Sequence, residues 1–289
     1  MLHKNKTIYG IYWFVLSLIV SSSNDLITKY LSQTLTSAEI TFFRYFFSLV
    51  YFIPFFTKLE FQYFKSKYLF FHIIRGGLLF IAIFSWNYSL QKIKLPTATL
   101  ISFSIPIFTL IFSNIFLKEK FSTLNVLCTF IVFIGLSITL YPYYLEISFL
   151  SIFSIVSVIC FALLDVFNKK LIQNENKFNM IFYSSLFVVI FSVFTVQKFS
   201  MPVKIELFFL AILGMNSNLI LYFLLKSFSL AKISTLVPYR YLELLFSSFF
   251  AFIFLGETID KYIKWGSFII IPTTYLLFYV EQKKSEQNS

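Results

Sequence analysis

The chain has 289 residues, of which 58% are hydrophobic and only 13% charged, and its mean hydropathy is +0.80. A soluble domain carries nearly a quarter of its residues as charges, so this composition excludes a water-soluble globular protein and fits an all-α integral membrane protein. The net charge of +11 is explained by lysines placed to orient membrane segments rather than by a nucleic-acid partner.

Bilayer-length apolar segments divide the chain into ten expected spans. The first five run near 8–30, 38–57, 69–91, 95–117 and 122–142, and the second five near 148–171, 178–197, 205–228, 232–255 and 262–281. The first run lacks a small-residue cleavage site and reads as a span rather than a signal peptide. Cys128 and Cys160 each stand alone in an apolar run, as packing residues. His3 and His72 are too far apart in sequence to suggest a metal site, and no cofactor is expected. With the N-terminus in the cytoplasm, 14 lysines fall in inner segments and seven in outer ones, which favours both termini inside.

The chain repeats at about half its length. Asp25-Leu-Ile-Thr-Lys29 is matched 140 residues later by Asp165-Val-Phe-Asn-Lys169, and Phe116-Leu-Lys-Glu-Lys120 is matched 138 later by Phe254-Leu-Gly-Glu-Thr258. The expected repeats are 1–143 and 144–282, followed by a polar tail over 283–289. Five spans per repeat is an odd number, so the second copy inserts inverted, an architecture of secondary transporters with the binding site between halves.

Charges inside apolar runs mark candidate site residues. A charge at mid-bilayer costs roughly 2.5–3.5 kcal/mol on insertion scales, so such residues face a cavity or one another. Asp25 and Lys29 share a helix face, as do Asp165 and Lys169. Each set is either a self-neutralising pair or an aspartate facing the cavity beside a lysine that reaches to the interface. Arg240 and Glu243 also share a face, two residues beyond Pro238, whose missing N–H leaves carbonyls near Ser234 free; they form an internal salt bridge or a binding pair. Arg44 has no acidic residue within four positions, Glu39 is a poor partner, and Asp25 or a substrate carboxylate is expected to meet it. Arg75, beside Gly76 and Gly77, reads as an anchor at the cytoplasmic interface. Span four offers Thr97, Thr99, Ser102, Ser104 and Pro106. Trp86, Tyr88, Tyr239 and Tyr241 can stack on a flat base or hold a cation.

Ten spans in two halves, with Leu-x-Glu after spans four and nine, resemble the EamA-type branch of the drug/metabolite transporter superfamily across essentially the whole chain. Within it the chain is similar to rickettsial S-adenosylmethionine uptake transporters. The residues concerned include Trp13-Phe-Val-Leu-Ser-Leu18, Ser22-Ser-Asn-Asp25, Phe42-Phe-Arg-Tyr-Phe-Phe-Ser48, Arg75-Gly76 and Ser102-Phe-Ser-Ile-Pro-Ile-Phe-Thr-Leu110. In the second half they are Asn168-Lys-Lys170, Pro238-Tyr-Arg-Tyr-Leu-Glu243 and Ile269-Ile-Ile-Pro-Thr-Thr274. Gly256 replaces the counterpart of Lys118, so the positive loop charge is confined to one half.

The resemblance implies a central cavity lined by spans one to four and six to nine, with spans five and ten as scaffold or homodimer contacts. It implies uptake of S-adenosylmethionine across a bacterial inner membrane, by exchange for a demethylated product. The substrate-binding set is then Asp25, Arg44, Trp86, Tyr88, Ser102, Asp165, Tyr239, Arg240 and Glu243. Zwitterionic amino acids or nucleosides would meet the same groups. No phosphate-binding loop points to direct ATP use, no selectivity-filter sequence points to a channel, and a membrane-embedded transferase would cluster its carboxylates or histidines at one membrane face.

Overall fold

The computed structural model describes residues 6–56, 65–93, 98, 101–119, 122–139, 149–196, 201–255 and 261–287. Among these the regular structure is helical. The longer helices are α1 (Lys6–Leu31), α2 (Ser37–Val50), α3 (Leu69–Lys92), α4 (Ile105–Leu117), α5 (Thr123–Thr139), α6 (Ile152–Leu171), α7 (Lys177–Val193), α8 (Lys204–Leu230), α9 (Leu242–Leu255) and α10 (Lys261–Gln287). They match the expected spans in number and order. Five segments, Lys6–Leu31, Leu69–Lys92, Phe149–Leu171, Lys204–Leu230 and Ile233–Phe254, are long and apolar enough to cross a bilayer by length and composition. Large apolar side chains such as Phe70, Phe116, Phe208 and Phe268 project from the outer surface.

The principal helix contacts all join one half to the other: α1 with α8 and α9, α2 with α7 and α8, α3 with α6 and α7, α4 with α6, and α5 with α10. Exchanging each helix for its counterpart five places along turns this set into itself. The two repeats therefore interlock about a pseudo-two-fold relation.

Close approaches obey the same relation. A Cβ added at Gly76 on α3 would collide with the Phe187 side chain of α7, and one added at Gly214 on α8 would come within 2.7 Å of Phe47 Cβ on α2. Gly214 lies 138 residues after Gly76, and Phe187 lies 140 after Phe47. Only glycine lets these helix pairs approach so closely.

The two lysines of the repeated Asp-x-x-x-Lys segment make a third symmetric pair. Lys29 Nζ donates to the Leu90 carbonyl at 2.8 Å, and Lys169 Nζ donates to the carbonyls of Phe228 and Ala231 at 2.5 and 2.6 Å. Each satisfies carbonyls left over at a helix C-terminus, α3 in one case and α8 in the other, and favours the negative end of the helix dipole. The local pairs expected from i,i+4 spacing do not form, because an orphan carbonyl on a neighbouring helix is the lysine's partner. Lys169→Met is expected to destabilise the fold by about 1–3 kcal/mol by leaving two carbonyls unpaired, measured as a lower thermal midpoint in detergent.

Two spans are interrupted at corresponding places. Ahead of α4 the chain turns at Phe103 and Ser104, and Pro106 opens the helix. Ahead of α9 come a short helix, Ile233–Leu236, and a 3-10 segment, Val237–Tyr241. Pro238 ends the α-helical ladder there, and the Ser234 carbonyl that it frees accepts a hydrogen bond from Asn125 Nδ2 at 3.2 Å. The Ser234 N–H donates to Glu119 at 3.3 Å, which gives the Leu117-Lys118-Glu119 segment its role. Its counterpart at Glu257, and Thr97 and Thr99, lie outside the described residues. Phe103 and Tyr241, 138 positions apart, stack with ring centres 5.9 Å apart where the two interruptions meet.

Candidate functional site

Between the halves lies a cavity of about 230 Å³ with lining from α1, α2, α3, α6, α7, α8, α9 and the stretch around Ser102. Seven of the nine expected site residues reach it: Asp25, Arg44, Trp86, Ser102, Asp165, Arg240 and Glu243. They come together because both repeated aspartates sit on the mutually facing sides of α1 and α6, and because the interruption at Pro238 turns Arg240 and Glu243 inward.

Tyr88 and Tyr239 are not among the lining residues. Two residues along a helix is a rotation of about 200°, so Trp86 faces the cavity while Tyr88 packs on Phe153 at 4.5 Å. Tyr239 is 3% exposed and packs in the apolar core. Arg75 is likewise not an interfacial anchor. It is completely buried, with Nε on Asn168 Oδ1 at 2.8 Å and Nη1 on His72 Nδ1 at 3.2 Å.

The cavity charges are matched unequally. Asp165 and Arg240 form a salt bridge at 2.7 Å, so Arg240 pairs across to α6 rather than internally with Glu243. Asp25, the repeat counterpart of Asp165, accepts instead from the neutral Trp86 Nε1 at 3.1 Å. The Glu243 carboxylate is met by the Ser21 hydroxyl. Arg44 gives its Nε to Ser217 at 2.5 Å, and its guanidinium carbon stands 5.6 Å from the centre of the Tyr45 ring. Among the described residues Asp25, Glu243 and Arg44 enter no salt bridge. Glu39 forms a capping box with Thr36 at the start of α2.

Several lining groups are uncharged and leave only a faint mark in the sequence. The lining residues Ser185 and Asn218 each meet Ser48 at 2.6 Å, which ties α2, α7 and α8 together at one wall. Asn24, only 3% exposed, has both amide atoms without a partner among the described residues. The visible signal was Asn216-Ser217-Asn218, three successive polar residues inside an apolar span.

The profile of the EamA-like transporter family matches twice, over residues 8–141 and 148–279. The chain belongs to this family. It is 42% identical over 275 residues to an S-adenosylmethionine uptake transporter of Rickettsia conorii, covering 95% of this chain and 94% of that protein. A protein of the same description from Rickettsia prowazekii is 39% identical over the same shares. A riboflavin transporter of Rhizobium johnstonii is 20% identical over 98% of this chain and 95% of its own length. One solved crystal structure superposes with a TM-score of 0.81 over 95% of this chain and 98% of that one, at 12% identity, a likeness of fold. As an EamA-like member the chain is a multi-pass membrane transporter of small molecules rather than an enzyme.

Proposed function

We propose that this EamA-like chain imports S-adenosylmethionine through the central cavity by alternating access, exchanging it for S-adenosylhomocysteine. The observation that carries the proposal is its 39–42% identity over 95% of the chain to rickettsial proteins described as S-adenosylmethionine uptake transporters. The chemistry of the cavity supports it. Asp25 has only a neutral donor and is available to the sulfonium or ammonium of the cargo. Arg44 offers its remaining guanidinium N–H groups to the carboxylate, and Trp86 gives a flat apolar face for adenine. Ser102 and the Asp165–Arg240 pair with Glu243 complete the proposed binding set.

The same reading places the protein in the bacterial inner membrane, with lipid around its apolar exterior and both termini in the cytoplasm. The repeat boundary lies at 143/144, and the α5–α10 face is the contact for a second copy.

The test is counterflow of labelled S-adenosylmethionine in proteoliposomes, challenged with S-adenosylhomocysteine, methionine, adenosine, riboflavin and free amino acids. Saturable counterflow competed best by S-adenosylhomocysteine supports the proposal. Competition by an unrelated metabolite alone reassigns the cargo. Asp25→Asn is expected to weaken the sulfonium-bearing cargo by about 10–100-fold, roughly 1.4–2.8 kcal/mol, while sparing the thioether product. Arg44→Gln should weaken both alike, since both carry the carboxylate. Equal losses for the two cargos in Asp25→Asn would remove Asp25 as the sulfonium partner.

A further inference from the structure

The interlocked repeats permit a residue-by-residue comparison of the two ends of the cavity. At the end formed by the C-terminus of α1 and the N-termini of α2 and α8, the halves are joined by an apolar cluster of Leu31, Leu35, Ile40, Leu210 and Leu213, with a polar tie beside it from the Thr34 hydroxyl to Glu206 at 2.6 Å. The register fixed by the glycine and lysine pairs carries Leu35 to Glu175, Leu210 to His72 and Leu213 to Arg75. At the other end, therefore, three of these apolar positions hold ionisable side chains.

Those side chains form one chain of contacts between the halves. Glu175, in the turn between α6 and α7, is joined by Ser66 and lies 3.4 Å from His72 Nε2. His72 Nε2 is also 3.1 Å from Ser66 Oγ, and the ring stacks on Tyr183 of α7 at 4.6 Å. His72 Nδ1 meets Arg75 Nη1 at 3.2 Å, and Arg75 continues to Asn168, which lines the cavity, and to the Met180 carbonyl at 3.5 Å. Arg75 Nη2 and Asn168 Nδ2 have no partner among the described residues. Burial works against the Glu175 charge, but hydrogen bonds from Ser66, the Asn176 N–H, Asn179 and His72 outweigh it and hold the carboxyl below its ordinary range.

A buried, hydrogen-bonded cation is a costly joint where apolar packing would serve, and at the corresponding positions of its opposite end this same molecule uses leucines. The difference calls for a use. Guanidinium can only donate hydrogen bonds, so His72 must accept at Nδ1 and carry its hydrogen on Nε2, towards Ser66 and Glu175. A proton added at Nδ1 replaces an accepted bond by two opposed N–H donors and sets imidazolium against guanidinium. The groups facing His72 are Arg75 on its own helix, Glu175 and Tyr183 from the second half, and Ser66 before α3, with Lys65 and Lys67 exposed beside it. Glu175 gains from the proton, but it sits on the far side of the ring from Arg75 and leaves the Arg75 contact broken.

We propose that His72 is a proton-binding site whose occupancy from the aqueous phase releases the Arg75 tie and opens this end of the cavity, while the opposite end, with leucines at the positions of His72 and Arg75, has no histidine latch. The transporter then gates one side with a histidine latch and the other with leucine packing beside the Thr34–Glu206 tie. The proposal stands apart from the identity of the cargo.

The test reads the latch without any substrate. Spin labels at Lys67→Cys and Asn174→Cys, exposed positions flanking the network on opposite halves, are placed in a Cys128→Ala, Cys160→Ala background and reconstituted in liposomes. Lowering the pH from about 8 to about 5.5, across the ordinary range of histidine, is expected to raise the long-distance population roughly tenfold relative to the short one. His72→Gln, which accepts from Arg75 and donates to Glu175 at any pH, should abolish the response. His72→Leu, which copies the residue at Leu210, should abolish it as well and serves if the glutamine variant does not fold. A distance distribution in the unsubstituted network that ignores pH overturns the proposal, as does an undiminished acid response in either His72 variant.

Discussion

Arg240→Ala is expected to reduce uptake to background and to destabilise the protein, while the same side chain's removal together with that of its partner charge should be far milder. Asp165 is 4% exposed, and the Arg240 contact at 2.7 Å is its only salt bridge among the described residues. Deleting one member of such a pair leaves an uncompensated buried charge, at a cost of about 3–5 kcal/mol. Asp165→Asn with Arg240→Gln keeps volume and hydrogen bonding and removes both charges. Thermal midpoints in detergent separate the two cases. If stability returns in the double variant while uptake does not, Arg240 acts on the cargo as well as on Asp165. Wild-type uptake by Arg240→Ala would take the 3-10 segment out of the transport site.

Gly76→Ile should abolish accumulation of folded protein, and Gly214→Ile should do the same. The added branched side chain at Gly76 meets Phe187 directly, and at Gly214 it meets Phe47 Cβ and Ser48 N, both at 2.7 Å, and the Arg44 carbonyl at 2.9 Å. Backbone atoms cannot swing aside as a flexible side chain can, so the helices must separate. Separation also displaces Arg75, next in sequence to Gly76, from its network. Overpacking of this kind costs about 1–3 kcal/mol even in forgiving cores, and a rigid interhelical joint is less forgiving. Fluorescence-detected size exclusion of each variant reads the outcome. A monodisperse peak of normal height for either variant would show that the joint has slack.

Much of this architecture was legible in the chain. Apolar run lengths set the helices, and the doubled Asp-x-x-x-Lys segment set the repeat, since both depend on local composition. Pro238 was equally readable, because the loss of an N–H is a property of the residue itself, and the Ser234 carbonyl it releases is bonded by Asn125. Interhelical partners were not readable. The i,i+4 rule pairs Asp25 with Lys29, but it concerns isolated helices, whereas α3 supplies Asp25 with Trp86 and Lys29 with a terminal carbonyl. Arg75 reads as interfacial because its position near the start of a span suggests exposure. Gly76 reverses that inference by drawing α7 over it. Tyr88 and Tyr239 have the residue type a flat cargo needs, but one or two positions of helical rotation carry them away from the cavity.

The cross-half pairing also bears on how the chain assembles during synthesis. Helix α1 ends at Leu31, yet its main partner α8 begins only at Lys204. When α1 leaves the ribosome, nothing yet exists to cover the polar side that carries Ser17, Asn24 and Asp25. The early helices must therefore wait within or beside the insertion machinery, and final docking is a late event that follows delivery of the second repeat. Separately expressed halves would each present an uncovered polar seam, and would be rescued by co-production of the other half in the same membrane.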